Sequence, residues 1–340
     1  MTSRHFFTTT FSQASSQAAL ESMGTIRISK SFTVAEAVSF GQVCQEAFVQ
    51  HPDLEEMVLD FTKTTFIDSS GIGALVIGHK LCESKGAKLC LINVPTQVMM
   101  ALSLTELDKV FHVEQVPERS PGATPVQLNA ALKNLPETHP SVRSKAKRAM
   151  DIVGAIVGLG LTTVLFVVVA IAIKYEDGGP VFFAQTRCSW MGKRFKIWKF
   201  RSMVTDAEAR KREVANKVKG PLFKNDNDPR VTRIGRFLRR TSLDECPQFW
   251  NVLKGDMSLV GTRPPTPDEI EQYEVPQWQR LNVKPGMTGE WQVNGRSKVT
   301  TFEEVIHLDL KYQRKWSLRY DIQLIVKTVM VLFSKESGAM

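Results

Sequence analysis

The longest uncharged apolar run in the chain lies near its middle and predicts a membrane helix. From Ile152 to Ile173, 22 consecutive residues carry no charged side chain. As one helix this run would be roughly 33 Å long at about 1.5 Å per residue, which is enough to cross a bilayer. A buried core helix is the alternative, but such helices are seldom apolar on every side over this length. Because the sequence contains no second run of this kind, it excludes a multi-span transporter or channel.

Basic residues flank this apolar run on both sides. They are Arg143, Lys145, Lys147 and Arg148 before it, and Lys174, Arg187, Lys193, Arg194, Lys196, Lys199 and Arg201 after it. Short positive flanks tend to stay in the cytoplasm. A re-entrant hairpin over 150–174, which enters and leaves by the same face, therefore fits better than a straight span. Gly154, Gly158 and Gly160 offer a place for the bend.

Strands and helices alternate in the N-terminal part of the chain. The apolar and β-branched residues of Thr25–Ser29, Glu56–Phe61 and Lys88–Asn93 predict strands, and Ser70–Ser84 predicts a helix. This alternation predicts a small α/β domain over residues 23–116.

The other segments differ in composition. Residues 1–22 are rich in Ser, Thr and Gln and predict a flexible tail, and residues 117–142 carry five prolines and predict a semi-extended linker. Residues 143–340 form the predicted second domain, α-rich (α+β) and membrane-associated. Its apolar Asp321–Phe333 helix fits a membrane surface and a protein core equally well.

Charge and cysteine content narrow the classes of function. With 44 Lys and Arg against 35 Asp and Glu, the net charge is +9, which favours nucleic acid, phosphorylated substrates or an acidic membrane surface as partners. The five cysteines include no C-x-x-C pair, which argues against a zinc ribbon and a disulfide framework. The six histidines show no Ser-His-Asp arrangement, and the sequence has no P-loop.

Two adjacent carboxylates, Asp244 and Glu245, stand among the basic residues Arg239, Arg240 and Arg263. Adjacent helical side chains point about 100° apart, so the two carboxylates would have separate roles. One carboxylate can attack phosphorus and form an acyl phosphate, while the other holds a divalent cation such as Mg²⁺. The arginines would neutralise a diphosphate and the charge that develops on it.

A capping box from Ser242 to Glu245 is the structural alternative for this pair. Pro247 would then fall in the second helical turn, where it removes a hydrogen bond. A helix that starts near Asp244 keeps Pro247 in its tolerated first turn. We expect Cys246, between the pair and this proline, to pack rather than to act as a nucleophile.

Two further basic clusters lie elsewhere in the predicted second domain. Lys199 and Arg201 lie in the run FKIWKFRSM (195–203), where basic and apolar residues alternate, which also fits an interfacial segment. Arg296 follows three glycines within 284–297, which predict tight turns there.

The N-terminal domain resembles the STAS domain, the fold of anti-sigma factor antagonists. The residues that carry the resemblance are Leu59-Asp60-Phe61, the stretch from Ile67 to Leu75 with Asp68-Ser69-Ser70-Gly71, and KGAKLCLINV (85–94). Asp68 and Ser69 also fit ordinary capping of the helix that follows. The resemblance implies Ser69 as a phosphorylation site, and it implies a regulatory or docking role for the domain.

Residues 143–340 resemble the monotopic phosphoglycosyl transferases, the bacterial sugar transferase family. The motifs are KFRSM (199–203), DPR (228–230) with TRIGRFLR (232–239), TSLDECPQ (241–248), KGDMS (254–258), and KPGMTG (284–289) running to VNGR (293–296). Two departures are Thr163-Val164, where the family commonly has Ser-Pro, and Gly261-Thr262-Arg263-Pro264, where it has Gly-Pro-Arg-Pro.

The resemblance implies a reaction and the residues for it. Asp244 would attack the β-phosphate of a UDP-sugar, Glu245 would hold Mg²⁺, and UMP would leave. The aspartyl phosphosugar would then pass to undecaprenyl phosphate. The implied phosphate-binding residues are Lys199, Arg201, Arg239, Arg263 and Arg296.

The resulting hypothesis is an enzyme at the cytoplasmic face of the bacterial inner membrane that begins exopolysaccharide, capsule or O-antigen synthesis. Its expected partners are a UDP-sugar, undecaprenyl phosphate, membrane lipid and a protein bound by the STAS domain, with homo-oligomerisation left open. A membrane-tethered STAS signalling protein with an inactive transferase-like anchor is the alternative. Nucleic-acid binding is suggested by charge alone and has no recognition motif to support it.

Overall fold

A computed structural model describes residues 9–10, 25–114, 135, 137–210, 214, 225, 228–295, 299 and 301–333. The chain forms two compact units. The first comprises Met1–Thr138, Met191–Lys193 and Tyr273–Asn282, and the second comprises His139–Trp190, Arg194–Gln272 and Val283–Met340. Most of the predicted tail and of the predicted linker lie outside the described residues, but Thr9–Thr10 of the tail form a strand, which the prediction of a flexible tail missed.

The first unit is an α/β fold built on a parallel sheet. Its five sheet strands are β1 (Thr9–Thr10), β2 (Thr25–Arg27), β4 (Glu56–Asp60), β6 (Lys88–Ile92) and β7 (His112–Glu114), in the spatial order β1-β2-β4-β6-β7. A separate parallel pair consists of β3 (Ser31–Phe32) and β5 (Phe66–Ile67). The helices are α1 (Val34–Gln50), α2 (Ser69–Ser84) and α3 (Thr96–Leu104), with 3-10 helices at Leu107–Lys109 and Val275–Asn282. The three predicted strands and the predicted helix are confirmed to within two residues at each end.

Burial in the central strands explains why their sequences are apolar without alternation. Met57, Val58 and Leu59 of β4 are all buried, as are the three central residues of β6. Such continuous burial is typical of parallel strands that are covered on both faces. The α/β fold therefore follows from a pattern that is visible in the sequence.

The second unit is helix-rich, as predicted. Its strands are β8 (Phe182–Cys188) antiparallel to β9 (Arg194–Phe200), and β10 (Ser258–Val260) parallel to β11 (Gly286–Thr288). Its helices are α4 (Pro140–Arg143), α5 (Lys145–Asp177), α6 (Arg233–Arg240), α7 (Gln248–Lys254), α8 (Pro267–Ile270), α9 (Glu290–Asn294), α10 (Phe302–Lys315) and α11 (Leu318–Phe333). A 3-10 helix, Leu243–Glu245, stands between α6 and α7.

Helix α5 contains the apolar run and continues without interruption for 33 residues, so the bend expected at Gly154, Gly158 and Gly160 is wrong. Among the described residues it is the one helix long and apolar enough to cross a membrane. One face packs within the second unit: a Cβ added to Gly154 would lie 2.5 Å from Leu259, and one added to Gly158 would lie 2.5 Å from the Phe249 ring. The opposite face exposes large apolar side chains, which are Val153, Ile156, Val157, Leu161, Val164, Val167, Val168 and Ile171.

Both ends of α5 are bound to the second unit. Near its start, buried Lys147 donates to Asp321 at 2.6 Å, and Arg148 donates to the Val252 carbonyl oxygen at 2.7 Å. At its end, the Glu176 carboxylate accepts from the Arg233 backbone N–H at 2.6 Å, and Asp177 forms an ion pair with Arg201. Several basic residues that the sequence assigns to the membrane flanks thus stabilise the fold of this unit.

Two of the glycines near Arg296 have a different role from the predicted one. Gly286 lies in β11 and Gly289 is extended directly before α9, so the expected tight turns are wrong for these two residues, whereas Gly295 does lie in a turn. A Cβ added to Gly286 would lie 2.0 Å from the Gly261 nitrogen, and one added to Gly289 would lie 2.0 Å from the Gly261 carbonyl oxygen. These two glycines instead allow two backbone segments to approach closely.

Candidate functional site

The predicted catalytic pair lies in the short 3-10 helix Leu243–Glu245. Ser242, directly before it, has a left-handed φ of 56°, which turns the chain sharply after α6. The following helix α7 begins at Gln248, directly after Pro247. Asp244 and Glu245 therefore lie about one turn before α7. The expected helix start near Asp244 is wrong, because α7 starts four residues later, at Gln248. Pro247 explains the break, because its ring and missing N–H prevent the turn from joining the helix.

Glu245 forms an ion pair with Lys199. The Lys199 Nζ atom lies 2.7 Å from Glu245 Oε1, and the two side chains are 28% and 32% exposed. Lys199 reaches this position from β9, in which Phe195 and Ile197 are buried while Lys196 between them is exposed. The alternation in FKIWKFRSM is thus a strand pattern that places Lys199 beside the acidic turn.

Asp244 is the buried member of the same cluster, and Arg239 beside it is half-buried. Asp244 is 6% exposed. Burial lowers the pKa of the Arg239 guanidinium, and the negative charges of Asp244, Asp228 and Glu245 oppose that shift. Arg239 Nε also donates to Ser202 Oγ at 2.9 Å, which fixes the guanidinium. An arginine in this setting stays charged, so a cation lies in the field of both carboxylates.

Cys246 adjoins the pair but is not activated. Burial, together with the nearby carboxylates of Asp244 and Glu245, raises the pKa of its thiol to about 11. Since the thiolate is the nucleophilic form, a thiol with this pKa stays inert near neutral pH. This agrees with the expectation that Cys246 packs.

Two of the predicted phosphate-binding arginines have carboxylate partners elsewhere in the second unit. Arg201 is buried and donates to Asp177 Oδ2 at 2.8 Å. Arg263 donates to both oxygens of Glu269, at 2.7 and 3.1 Å. The structure therefore brings Lys199 and Arg239 to the acidic pair but engages Arg201 and Arg263 in other ion pairs. Arg296 lies outside the described residues.

Several contributors were not predicted from the sequence. Ser202 positions Arg239, and its only signal is its place in the KFRSM motif. Glu176 caps the start of α6 by accepting from the backbone N–H groups of Arg233 and Ile234. Its signal was the acidic Glu-Asp pair at the end of the apolar run. Glu176 thus connects α5 to α6, the helix that leads into the acidic turn, while Ser202 connects the end of β9 to the same helix.

The residues of the pair have a suitable chemistry for a magnesium ion. Carboxylate oxygens are the donors that Mg²⁺ prefers, and it is usually held by one or two carboxylates together with substrate phosphates. Glu245 is the more exposed of the two and is shared with Lys199. Glu245 thus has the chemistry that the predicted metal-binding role needs. The positively charged ammonium group of Lys199 lies beside it.

The Asp-Ser-Ser-Gly motif of the first unit is buried. Asp68 Oδ1 accepts from the backbone N–H groups of Ser70 and Gly71 at 2.8 and 3.0 Å, so the capping interpretation is confirmed for Asp68. Ser69 is 0% exposed. Its hydroxyl lies 2.7 Å from the Trp278 carbonyl oxygen. Phosphorylation of Ser69 stays a prediction, and it would require the Trp278 segment to move away.

Comparison with family models finds two matches. Residues 142–335 match the model described as "Bacterial sugar transferase", and residues 18–119 match the model described as "STAS domain". The first match covers the acidic turn, Lys199 and Arg239, and the second covers Ser69.

Curated relatives match the same C-terminal region. "Galactosyl transferase CpsE" of Streptococcus agalactiae serotype III (strain NEM316) is 50% identical over 189 residues, which is 55% of this chain and 42% of that protein. "UDP-glucose:undecaprenyl-phosphate glucose-1-phosphate transferase" of Escherichia coli (strain K12) is 45% identical over 199 residues, 56% of this chain and 41% of that protein. The chain thus spans less than half the length of these two relatives. "Exopolysaccharide production protein ExoY" of Rhizobium meliloti (strain 1021) is 37% identical over 204 residues, 57% of this chain and 90% of that protein.

Proposed function

The chain belongs to the bacterial sugar transferase family and carries an N-terminal STAS domain, and from this premise we propose that it transfers a sugar 1-phosphate from a UDP-sugar to undecaprenyl phosphate, releasing UMP. The observation that carries the proposal is the cluster of buried Asp244, the Lys199–Glu245 ion pair and Arg239, within the matched residues. The names of two relatives, an E. coli glucose-1-phosphate transferase and a Salmonella galactose phosphotransferase, both mention undecaprenyl phosphate.

The reaction has two displacements at one phosphorus atom. An Asp244 carboxylate oxygen attacks the β-phosphorus of the UDP-sugar, a new O–P bond forms, and the bond to the bridging oxygen breaks so that UMP leaves with the electron pair. An oxygen of undecaprenyl phosphate then attacks the same phosphorus, and the Asp244 carboxylate is released. Covalent catalysis of this kind replaces one difficult transfer by two easier ones.

The side chains around Asp244 supply charge for these steps. Arg239, held by Ser202, faces the negative charge that develops on the phosphoryl oxygens. Lys199 gives a second cation, and Glu245 would hold Mg²⁺, which when bound neutralises the diphosphate. Because Asp244 is 6% exposed, the substrate has to reach it past the more exposed Lys199–Glu245 pair. We propose that this ion pair opens when the diphosphate binds.

The contacts of α5 support a re-entrant membrane topology. Both ends of the helix bind the second unit, and contacts at Gly154 and Gly158 continue along one face. A straight span would place the two ends on opposite sides of a bilayer about 30 Å thick, which would separate one end from its partners. We propose that the helix enters the membrane from one side, with its exposed apolar face towards lipid. We propose that this side is the cytoplasmic face of the bacterial inner membrane, where UDP-sugars are soluble.

The alternative, a STAS signalling protein with an inactive anchor, is disfavoured by the intact cluster at Asp244. Under the proposed function the STAS domain has a regulatory or docking role.

The test is an assay of the full chain in lipid nanodiscs with Mg²⁺, undecaprenyl phosphate and a panel of UDP-sugars. We expect UMP release with at least one UDP-sugar, and mass spectrometry should find a phosphosugar on the Asp244 peptide when the lipid acceptor is omitted. Asp244→Asn should abolish both signals, whereas Asp206→Asn, at an exposed position, should preserve them. Full UMP release by Asp244→Asn would refute the assignment.

A further inference from the structure

A short segment of the transferase sequence belongs structurally to the STAS unit. Tyr273–Asn282 lies inside the span that matches the sugar transferase family, yet it packs in the first unit. The residues on either side, Gln272 and Val283, belong to the second unit. The chain therefore leaves one unit, contributes ten residues to the other and returns.

Polar contacts hold this segment at the start of α2. Ser69 Oγ lies 2.7 Å from the Trp278 carbonyl oxygen and 2.5 Å from Asn282 Oδ1. The Ser69 backbone N–H donates to the same Asn282 oxygen at 3.0 Å, and Asn282 Nδ2 donates to Asp68 Oδ2 at 3.1 Å. One oxygen of Asp68 thus caps α2 while the other binds Asn282.

Apolar side chains of the segment also pack in the first unit. Trp278 is buried, and a Cβ added to Gly73 would lie 2.4 Å from its ring. Val275 and Leu281 are also buried. Arg280 is 0% exposed and donates to the Tyr273 hydroxyl at 2.7 Å. Such a buried and hydrogen-bonded contact is typical of a specific docking surface.

The segment leads directly into the core of the second unit. Asn282 is followed by buried Val283 and by Lys284, whose Nζ donates to the Gly255 carbonyl oxygen at 2.7 Å. Strand β11 begins at Gly286 and pairs with β10. Three residues of chain therefore separate Asn282 from β11.

One relative consists almost entirely of the transferase region. The alignment with ExoY of Rhizobium meliloti covers 90% of that protein within 204 residues, which leaves too little sequence for a second domain the size of the STAS match. The contact at Ser69 is thus not shared by this relative.

We infer that the Asp68–Ser69 end of α2 is a docking site for the chain's own Tyr273–Asn282 segment, and that this docking supports transferase turnover. The inference rests on the proposed function and assigns the STAS domain a ligand within the same chain. A partner or a modification that displaces the segment from Ser69 lowers the rate of UMP release.

The test compares three variants of the full chain in nanodiscs by hydrogen–deuterium exchange and by UMP release. Asn282→Ala removes the amide from one side of the contact, and Ser69→Asp places a carboxylate beside Asp68 on the other side. Ser84→Asp adds the same charge at the exposed end of α2 and is the matched control.

We expect Asn282→Ala and Ser69→Asp to speed exchange in the Tyr273–Asn282 peptide about tenfold. Both should lower UMP release roughly fivefold or more, and Ser84→Asp should match the unmodified chain in both measurements. Unchanged exchange in both variants would refute the docking site, and faster exchange with equal or higher UMP release would refute its support of turnover. Hydrogen–deuterium exchange needs no substrate, so it tests the docking site even if the unmodified chain releases no UMP. An unmodified chain that releases no UMP would instead refute the proposed function.

Discussion

The Nζ atom of Lys199 lies 2.7 Å from Oε1 of Glu245, and this ion pair joins the end of β9 to the turn that carries Asp244. Both side chains keep part of their surface exposed, whereas Asp244 is almost covered. Under the proposed function, an incoming diphosphate would compete with Glu245 for Lys199.

Replacing Lys199 by methionine should slow turnover. The variant keeps a similar length and loses the cation that neutralises the diphosphate. Removing one electrostatic contact of this kind typically costs on the order of 10²-fold in rate. The measurement is UMP release at saturating UDP-sugar. Lys196→Met, at an exposed position of the same strand, is the control, and equal rates in the two variants would exclude a role for Lys199.

Asp177→Asn should destabilise the second unit because it leaves the buried Arg201 guanidinium without its carboxylate partner. Since Asp177 is partly exposed, we expect a loss of about 2 kcal/mol, below the range for a fully buried pair. The measurement is chemical denaturation in detergent. In the double variant with Arg201→Met the two losses should not add, and full additivity would contradict the pairing.

The Asp228–Arg230 pair should make stability depend on pH. Hydrogen bonds from the Arg230 guanidinium hold the pKa of Asp228 below its usual value. A carboxyl with a lowered folded-state pKa stabilises the fold above its unfolded pKa of about 3.9, and this contribution is lost as the pH falls through the folded-state value.

Asp228→Asn should therefore cost about 1–3 kcal/mol at pH 7, and the difference from the unmodified chain should shrink below about pH 4. Denaturation curves at several pH values measure it. Asp268→Asn, at an exposed position, should show a small difference at every pH. A difference for Asp228→Asn that stays constant down to pH 3 would contradict the assigned pKa shift.

Gly158→Leu should separate α5 from α7. A Cβ at this position would lie 2.5 Å from the Phe249 ring, and overpacking of this kind costs about 1–3 kcal/mol. Gly160→Leu is a matched control two residues away, where an added Cβ meets nothing within 4 Å. Thermal unfolding in nanodiscs compares the two. Equal melting temperatures would show that the glycine face of α5 does not pack as described.

The sequence predicts local structure well where the burial pattern is regular. The strands at Glu56 and Lys88 and the helix that begins beside Asp68 could be predicted because apolar periodicity and capping act over a few residues. The acidic pair could also be predicted, because Asp244 and Glu245 stand among several arginines.

The partners of the basic residues could not be predicted in the same way. From the sequence, Arg201 and Arg239 are both predicted to bind phosphate. In the structure, Arg201 binds Asp177 while Arg239 lies near Asp244. Those partners are set by tertiary packing of α5 and β9, which no local pattern encodes. The position of Tyr273–Asn282 has the same cause, since its polar contacts with Ser69 join residues more than 200 positions apart.

The attachment of both ends of α5 to one unit has a consequence for the fate of the product. If the helix enters the membrane from one side, as proposed, the enzyme would reach only the leaflet from which its soluble donor arrives. The lipid-linked sugar phosphate would accumulate with its head group on that same leaflet. A separate membrane protein would then have to turn the finished lipid over before its glycan could appear outside the cell.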